Sequence, residues 1–277
     1  MNKNLIIIDG HNYLYRAYYG IPASAVLPNG TKVNAYYGFM SFLRKVVEEY
    51  NPKQLLVVFD SERGIEQKQK SHPNYKNNRN YEDKQIFEQL EIIKKALKYC
   101  GIEFIEDQRF EADDVIASLS SISSRSGNFV YISSNDSDFI QCVKENVVLL
   151  KSVRGIFVEY TMNYIENEFG FIPSLYLDYL SLKGDPSDNI DGVPGIGKRT
   201  GIKMIQKYKG IEKIFDASDT NSKILRLVKE NKDKVRSNKD FLKINDHLEI
   251  EKEIKHINAD LLLGKTSNEI LKELNLY

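Results

Sequence analysis

Nine carboxylates, set in short clusters, are the residues of this chain best suited to chemistry. Glu111, Asp113 and Asp114 stand together in EADD, Asp136 and Asp138 in DSD, and Asp185 and Asp188 in GDPSDNI, while Asp9 and Asp60 each end an apolar run. Singly, each group has an ordinary explanation. An acid in the first turn of a helix accepts free N–H groups and suits the positive end of the dipole, and aspartates are common in turns. Together they point elsewhere, because carboxylates gathered at close range repel strongly unless cations hold them. An all-oxygen site of that kind selects magnesium or manganese over zinc.

The elements around these acids decide whether they meet. Residues 5–8 form a continuous apolar run closed by Asp9-Gly10, residues 55–59 form a second closed by Asp60, and residues 129–132 a third followed by Ser133, Ser134, Asn135 and Asp136. Such runs predict strands buried on both faces of a parallel sheet. Helical periodicity lies between them. Residues 35–50 put Tyr36, Phe39, Met40, Leu43, Val46 and Val47 on one face, residues 85–99 put Ile86, Leu90, Ile93 and Leu97, and residues 112–122 put Val115, Ile116, Leu119 and Ile122. Alternating strands and helices imply right-handed crossovers, so the carboxyl ends of the strands share one edge, where ligands bind. Three strands each bring an aspartate to that edge. Further strands are expected at 102–105, 147–150 and 156–158, and from Thr161 the chain reads as helical to its end, with a helix and loop over 221–239 and an amphipathic helix over 261–277.

Two stretches have the chemistry of nucleic-acid contacts. Residues 61–84 are almost without aliphatic side chains and interleave Lys68, Lys70, Lys76, Arg79 and Lys84 with His72, Tyr75 and Tyr81. A solvated loop would have that composition, and so would a surface that grips single strands by phosphate contact and base stacking. GVPGIGKRT, at 192–200, nearly matches a nucleotide-hydrolase phosphate loop, but Arg199 takes the hydroxyl position and no strand precedes it. The better reading is a hairpin between two helices. Gly192, Gly195 and Gly197 there allow positive φ and expose N–H groups to a DNA phosphate, with Lys198, Arg199, Lys203 and Lys207 around them.

With 277 residues, 42% apolar and 28% charged, the chain can bury a core of ordinary globular type, as one large domain or two unequal ones. Cys100 and Cys142 make neither a disulfide framework nor a zinc site, which fits a reducing cytoplasm. The first apolar run is too short for a signal peptide or a membrane span. Basic and acidic residues number 39 each. Withdrawing the nine clustered acids leaves the remaining surface basic, so a neutral total can hide a basic protein wrapped around an acidic hole.

Taken in order from Leu5 to about Asp246, the segments LIIIDGHNYLYRAYYGIP, VNAYYGFMSFLRKVV, EADDVIASL, DSD and GDPSDNIDGVPGIGKRT resemble the 5′-nuclease domain of bacterial DNA polymerase I and its flap-endonuclease relatives. The resemblance implies an α/β fold. Residues 1–170 would form a PIN-like parallel sheet flanked by helices, with a basic helical arch at about 61–84. Residues 171–277 would form an all-helical DNA-binding region containing a helix–three-turn–helix (helix-hairpin-helix) element. Two Mg2+ ions are implied, with Mn2+ able to substitute. Asp9, Asp60, Glu111 and Asp113 would hold the first, with Asp114 beside them; Asp136, Asp138 and Asp185 would hold the second, with Asp188 acting through water. Lys76 and Arg79 match the basic pair of the arch, and Arg16 a basic residue near the first aspartate. Lys68, Lys70 and the hairpin residues Gly192, Gly195, Gly197, Lys198, Arg199 and Lys203 would bind DNA, and K+ would sit at the hairpin. Some positions depart from the family: Gln67-Lys68 replaces a Phe-Arg pair with one extra residue before Tyr75, Asp191 a proline and Gly201 an alanine. None removes a ligand.

The activity so implied is that of a metal-dependent phosphodiesterase, a structure-specific 5′-3′ exonuclease and flap endonuclease of DNA replication and repair. Its partners would be DNA with 5′ flaps, nicks or single-stranded 5′ ends, and RNA–DNA primer junctions, but no membrane. It would act as a monomer in the bacterial cytoplasm, at the nucleoid, and as a stand-alone nuclease. Two alternatives share some of these features. A PIN-like ribonuclease would need no phosphate-gripping hairpin, and a catalytically silent DNA-binding relative would have no use for nine acids.

Overall fold

A six-stranded sheet, in a computed structural model that describes residues 4–61, 84–218 and 222–277, organises the first part of the chain. Its strands are β1 (Asn4–Asp9), β2 (Gln54–Phe59), β3 (Glu103–Glu106), β4 (Phe129–Ser133), β5 (Val147–Val153) and β6 (Ile156–Tyr160). They lie in the order β3-β2-β1-β4-β5-β6. The first five are parallel, as the apolar runs predict. The sixth is antiparallel to β5, a departure from an all-parallel sheet. The cause is local: only Arg154 and Gly155 join the two strands, both at positive φ (51° and 79°), and a two-residue link can only turn the chain back on itself.

Alternate residues of each strand serve opposite faces. Leu5, Ile7, Leu56, Val58, Val130 and Ile132 pack against α4 (Ala112–Arg125) and onward against the helical part of the chain. Ile6, Ile8, Leu55, Val57 and Phe59 pack against α1 (Gly10–Gly20), α2 (Asn34–Tyr50) and α3 (Lys84–Tyr99). Helix α1 is not predicted from the periodicity. Glycine at both ends and a tyrosine-rich sequence hide its apolar face of Tyr13, Leu14 and Ala17.

After β6 come α5 (Met162–Phe169), α6 (Tyr176–Lys183), α7 (Lys198–Tyr208), α8 (Ile211–Asp216), α9 (Lys223–Glu230) and α10 (Lys232–Leu242). Between α6 and α7 the pairs Gly184–Asp185 and Ile190–Asp191 form a small antiparallel ladder, β7 and β8. The expectation that the chain is helical from Thr161 to its end fails beyond Leu242. Residues 243–259 form a strap without helix, held by hydrogen bonds to distant groups: Asn245 and Leu248 bond to α4 and Ile257 to Lys53. The single amphipathic helix expected over 261–277 is two short ones, α11 (Asp260–Gly264) and α12 (Ser267–Glu273), broken at Lys265-Thr266 where Thr266 and Glu269 form a capping box. Leu262, Ile270 and Leu271 are buried in the same core as Tyr36, Phe39 and Met40 of α2. Arg44 fastens them there, donating to the carbonyls of Leu262 and Lys265 and to Ser267 Oγ at 2.8–2.9 Å. Among the described residues no helix is long and apolar enough to cross a membrane.

Candidate active site

In the strand order β3-β2-β1-β4-β5, the connections leave β1 in opposite directions at its junction with β4. That switch point is where an open parallel sheet has its ligand crevice. Asp9 is the last residue of β1, Asp60 directly follows β2, and Asp136 stands three residues beyond β4.

Asp9 is nearly buried, with 6% of its surface exposed. Its Oδ1 accepts the Asn12 N–H at 3.1 Å, capping α1, and its Oδ2 accepts the Ser134 hydroxyl at 2.7 Å. Ser134 Oγ in turn accepts the Asp136 N–H at 3.0 Å, so one hydroxyl joins the ends of β1 and β4. Burial pushes the Asp9 carboxyl up to about 7; the bonds from Ser134 and Asn12 oppose the rise, and the charges of Asp60 and Asp136 add to it.

Asp60 is fixed at both ends. Its N–H donates to His11 Nδ1 at 2.9 Å, and its Oδ1 accepts the Ala112 N–H at 2.9 Å. The cap of α4 therefore comes from Asp60, a distant residue, rather than from Asp113 or Asp114; Glu111, at the N-cap position, makes no side-chain cap bond. Asp114 is buried, and its Oδ1 accepts the Asn245 N–H of the strap at 2.9 Å.

Asp9, Asp60, Asp113, Asp136 and Asp188 line one cavity of about 400 Å3, together with His11, Asn12, Tyr15, Arg16 and Tyr19. Five separate stretches of chain supply those five acids. Glu111, 1% exposed, and Asp114 do not line it. Arg16 is its one cationic lining residue among the described residues, and its guanidinium also donates to the Ser152 carbonyl at 2.8 Å.

The second group gathers where the small β7–β8 ladder meets the loop after β4. Carboxylate oxygens of Asp138, Asp185 and Asp188 lie within 4.8 Å of one another, the one such trio among the described residues. Asp188 is thus placed alongside the acids expected to ligate directly. Burial holds the Asp138 carboxyl well above the usual range, and the neighbouring charges of Asp136, Asp185 and Asp188 raise it further, against Lys183. An oxygen-only donor set under that much negative charge fits a hard divalent cation. A second cavity, of about 440 Å3, is lined by Asp136, Asp138 and Asp185 together with Lys183 and Lys198.

The glycine-rich hairpin follows directly. Of its three glycines only Gly195 takes positive φ, at +81°. Gly192 is required for a different reason, since a Cβ there would stand 2.1 Å from the Lys183 carbonyl oxygen. Gly197 is the N-cap of α7 in an extended conformation. Arg199 and Lys203 are exposed on α7, while Lys198 faces the second carboxylate cavity. Lys68, Lys70, Lys76 and Arg79, with the arch expected around them, lie outside the described residues. Sequence reasoning missed Ser134, His11 and Lys183. A polar residue at the end of a strand or helix is too common to signal a role, and these three acquire theirs only from the sheet order and the ladder.

Comparison with known proteins agrees with this geometry. A family model described as 5′-3′ exonuclease, N-terminal resolvase-like domain, matches residues 4–170, and one described as 5′-3′ exonuclease, C-terminal SAM fold, matches residues 171–262. The 5′-3′ exonuclease of Aquifex aeolicus is 35% identical over 213 residues, covering 77% of this chain and 72% of that protein. The DNA polymerase I of Bacillus subtilis is 31% identical over 255 residues, 90% of this chain but only 28% of that protein, so the chain spans little more than a quarter of that relative. Among solved structures, the flap endonuclease of bacteriophage T5, in a pseudo-enzyme-product complex with DNA and metal ions, superposes with a TM-score of 0.71 at 20% identity, covering 98% of each chain. That last likeness is one of fold.

Proposed function

The chain belongs to the 5′-3′ exonuclease family, a family of nucleases, and from that premise we propose that it is a structure-specific 5′-3′ exonuclease and flap endonuclease. Its substrates are DNA with 5′ flaps, nicks or single-stranded 5′ ends, and RNA–DNA primer junctions. The observation that carries this reading is the convergence of Asp9, Asp60, Asp113, Asp136 and Asp188 on one cavity at the switch point of the sheet. Two divalent ions, Mg2+ with Mn2+ able to substitute, would be held in and beside that cavity: one by Asp9, Asp60, Glu111 and Asp113 with Asp114 behind them, the other by Asp136, Asp138, Asp185 and Asp188. Bound ions of this kind lower the pKa of water and stabilise the departing oxygen of a phosphodiester.

The chain's own residues prepare that chemistry. Ser134 fixes the spacing of Asp9 and Asp136, and the Ala112 N–H fixes the rotamer of Asp60. Arg16 and, from the arch, Lys76 and Arg79 offer positive charge to the scissile phosphate. Gly192, Gly195 and Gly197 let the backbone of the hairpin approach the duplex, where Lys198, Arg199 and Lys203, aided by Lys68 and Lys70, hold phosphates; the hairpin carbonyls would hold K+. We assign catalysis to residues 1–170 and duplex binding to 171–277, in a monomer acting on DNA in the bacterial cytoplasm.

The test is a 5′-flap duplex labelled at both ends of the cut strand, incubated in Mg2+ or EDTA, with the products sized. Release of the intact flap in Mg2+ alone is expected. Cutting in EDTA, or equal cutting of unstructured RNA, would overturn the proposal.

A further inference from the structure

Strand β5 runs beside β4 and backs the loop that carries Asp136 and Asp138. Two adjacent polar residues on β5, Lys151 and Ser152, are buried, at 7% and 8% exposure. Lys151 Nζ donates to Ser137 Oγ at 2.7 Å, and Ser137 lies between the two aspartates. The ammonium also stands 4.9 Å from the centre of the Tyr160 ring. One residue on, the Ser152 N–H donates to Asn135 Oδ1 and Asn135 Nδ2 donates to the Ser152 carbonyl, both at 2.9 Å. Residues 135 and 137, on either side of Asp136, are therefore pinned to β5.

Pinning alone does not call for a charge. A neutral donor would satisfy Ser137, as the Asn135–Ser152 pair shows one residue away. A buried ammonium is costly to place and is kept where it meets opposite charge. Burial brings the Lys151 pKa down to about 8, and the charges of Asp136 and Asp138 work the other way. The side chain is an ammonium at neutral pH on that balance. Its hydrogen bond goes to Ser137, so its charge acts on Asp136 and Asp138 through the protein interior, where screening by water is weak.

We infer that Lys151 is a positioning residue for the second carboxylate group, a cation fixed in the fold that offsets the mutual repulsion of Asp136, Asp138, Asp185 and Asp188 and shares that duty with a bound divalent ion. The inference rests on the reading of those acids as metal ligands. Ser137 transmits the position and the ammonium supplies the charge. Built-in cation and metal then oppose the same repulsion, so removing the one increases the dependence on the other. A lysine that only filled space would have no such link.

The test uses the full chain with Lys151→Met, Lys151→Gln and Lys151→Arg. Thermal unfolding is followed in EDTA and in saturating Mn2+, and Mn2+ binding is measured by titration calorimetry. Lys151→Met and Lys151→Gln are expected to lower Tm more in EDTA than in Mn2+, enlarging the rise that metal produces. They should bind Mn2+ more tightly by on the order of a few hundredfold, the factor for removing one unit charge about ten ångströms from a divalent ion at an effective dielectric constant of about 20. Lys151→Arg should keep the wild-type difference between the two conditions, even where its bulk lowers both. Should Lys151→Met fail to fold, Lys151→Gln, which retains a donor toward Ser137, carries the same comparison. Equal losses of Tm in both conditions with unchanged Mn2+ affinity would overturn the inference alone. A wild-type protein whose Tm does not respond to Mn2+ would overturn the metal-site reading, and the inference with it.

Discussion

The two halves of the carboxylate cluster are built on opposite principles. In the half formed by β1, β2 and α4, the acids also hold the fold: Asp9 caps α1, Asp60 caps α4 across space, and Asp114 anchors the strap. In the half formed by the loop after β4 and the β7–β8 ladder, Asp138, Asp185 and Asp188 crowd together, with Lys183, Lys198 and the buried Lys151 as positive charges nearby. Capping and metal binding are thus not rival explanations for an aspartate at a helix start. In the first half one side chain can do both with its two oxygens. In the second half repulsion dominates, and a bound proton or a cation relieves it.

The largest expected effect treats the halves as one site. Asp113→Ala and Asp136→Ala should each slow single-turnover cleavage of a flap substrate by more than about 1000-fold, the several kcal/mol that a lost divalent-ion contact represents. If one of them cuts normally, the halves do not serve a common reaction.

Protonation gives the next effect. The Asp9 carboxyl rises from 3.8 to about 7 on folding, so the folded state holds a proton that the unfolded state has released over that interval. Stability without metal should therefore fall as pH rises from about 4 to 7 and level off above, by on the order of a few kcal/mol. Thermal melts in EDTA across that range check this; Asp9→Asn should flatten the curve, and a rising Tm would contradict the assignment.

The hairpin offers a contrast with both halves. Gly195→Val forces a β-branched residue to positive φ, which costs about 1–3 kcal/mol of local strain. DNA binding should weaken by roughly tenfold or more while the cleavage rate at saturation changes little. A selective loss of rate would place Gly195 at the chemistry instead.

The smallest effect is the one that separates the halves most directly. In EDTA, Asp60→Ala should lower stability by about 1 kcal/mol through loss of a helix cap. Asp185→Asn should raise it, because it removes one of the crowded charges. Denaturant titrations that moved both variants in the same direction would erase the distinction.

The sheet was legible because β1, β2 and β4 are uninterrupted apolar runs, and parallel strands buried on both faces have no other composition. The three aspartates at their ends followed from that alone. What stayed hidden depends on pairs far apart in the chain. The Ser134–Asp9 bond spans 125 residues, and the Lys151–Ser137 contact exists only because β5 lies next to β4. A serine after a strand and a lysine within one carry no local mark of either role. β6 was expected as a strand, but its antiparallel direction was missed for the opposite reason: the signal was local, the Arg154-Gly155 turn, but weaker than the strand pattern around it.

The strap and its two terminal helices bear on how the molecule comes into being. Leu262, Ile270 and Leu271 complete the face of the sheet that α1, α2 and α3 begin, and Arg44 holds them there. A chain emerging from the ribosome makes β1 first, yet cannot close that face until residues 260–277 have been added. Through most of synthesis Tyr36 and its neighbours must wait with one side exposed, and the helical part can finish before the six-stranded sheet does. For that face of the sheet, the order of completion then runs against the order of the sequence.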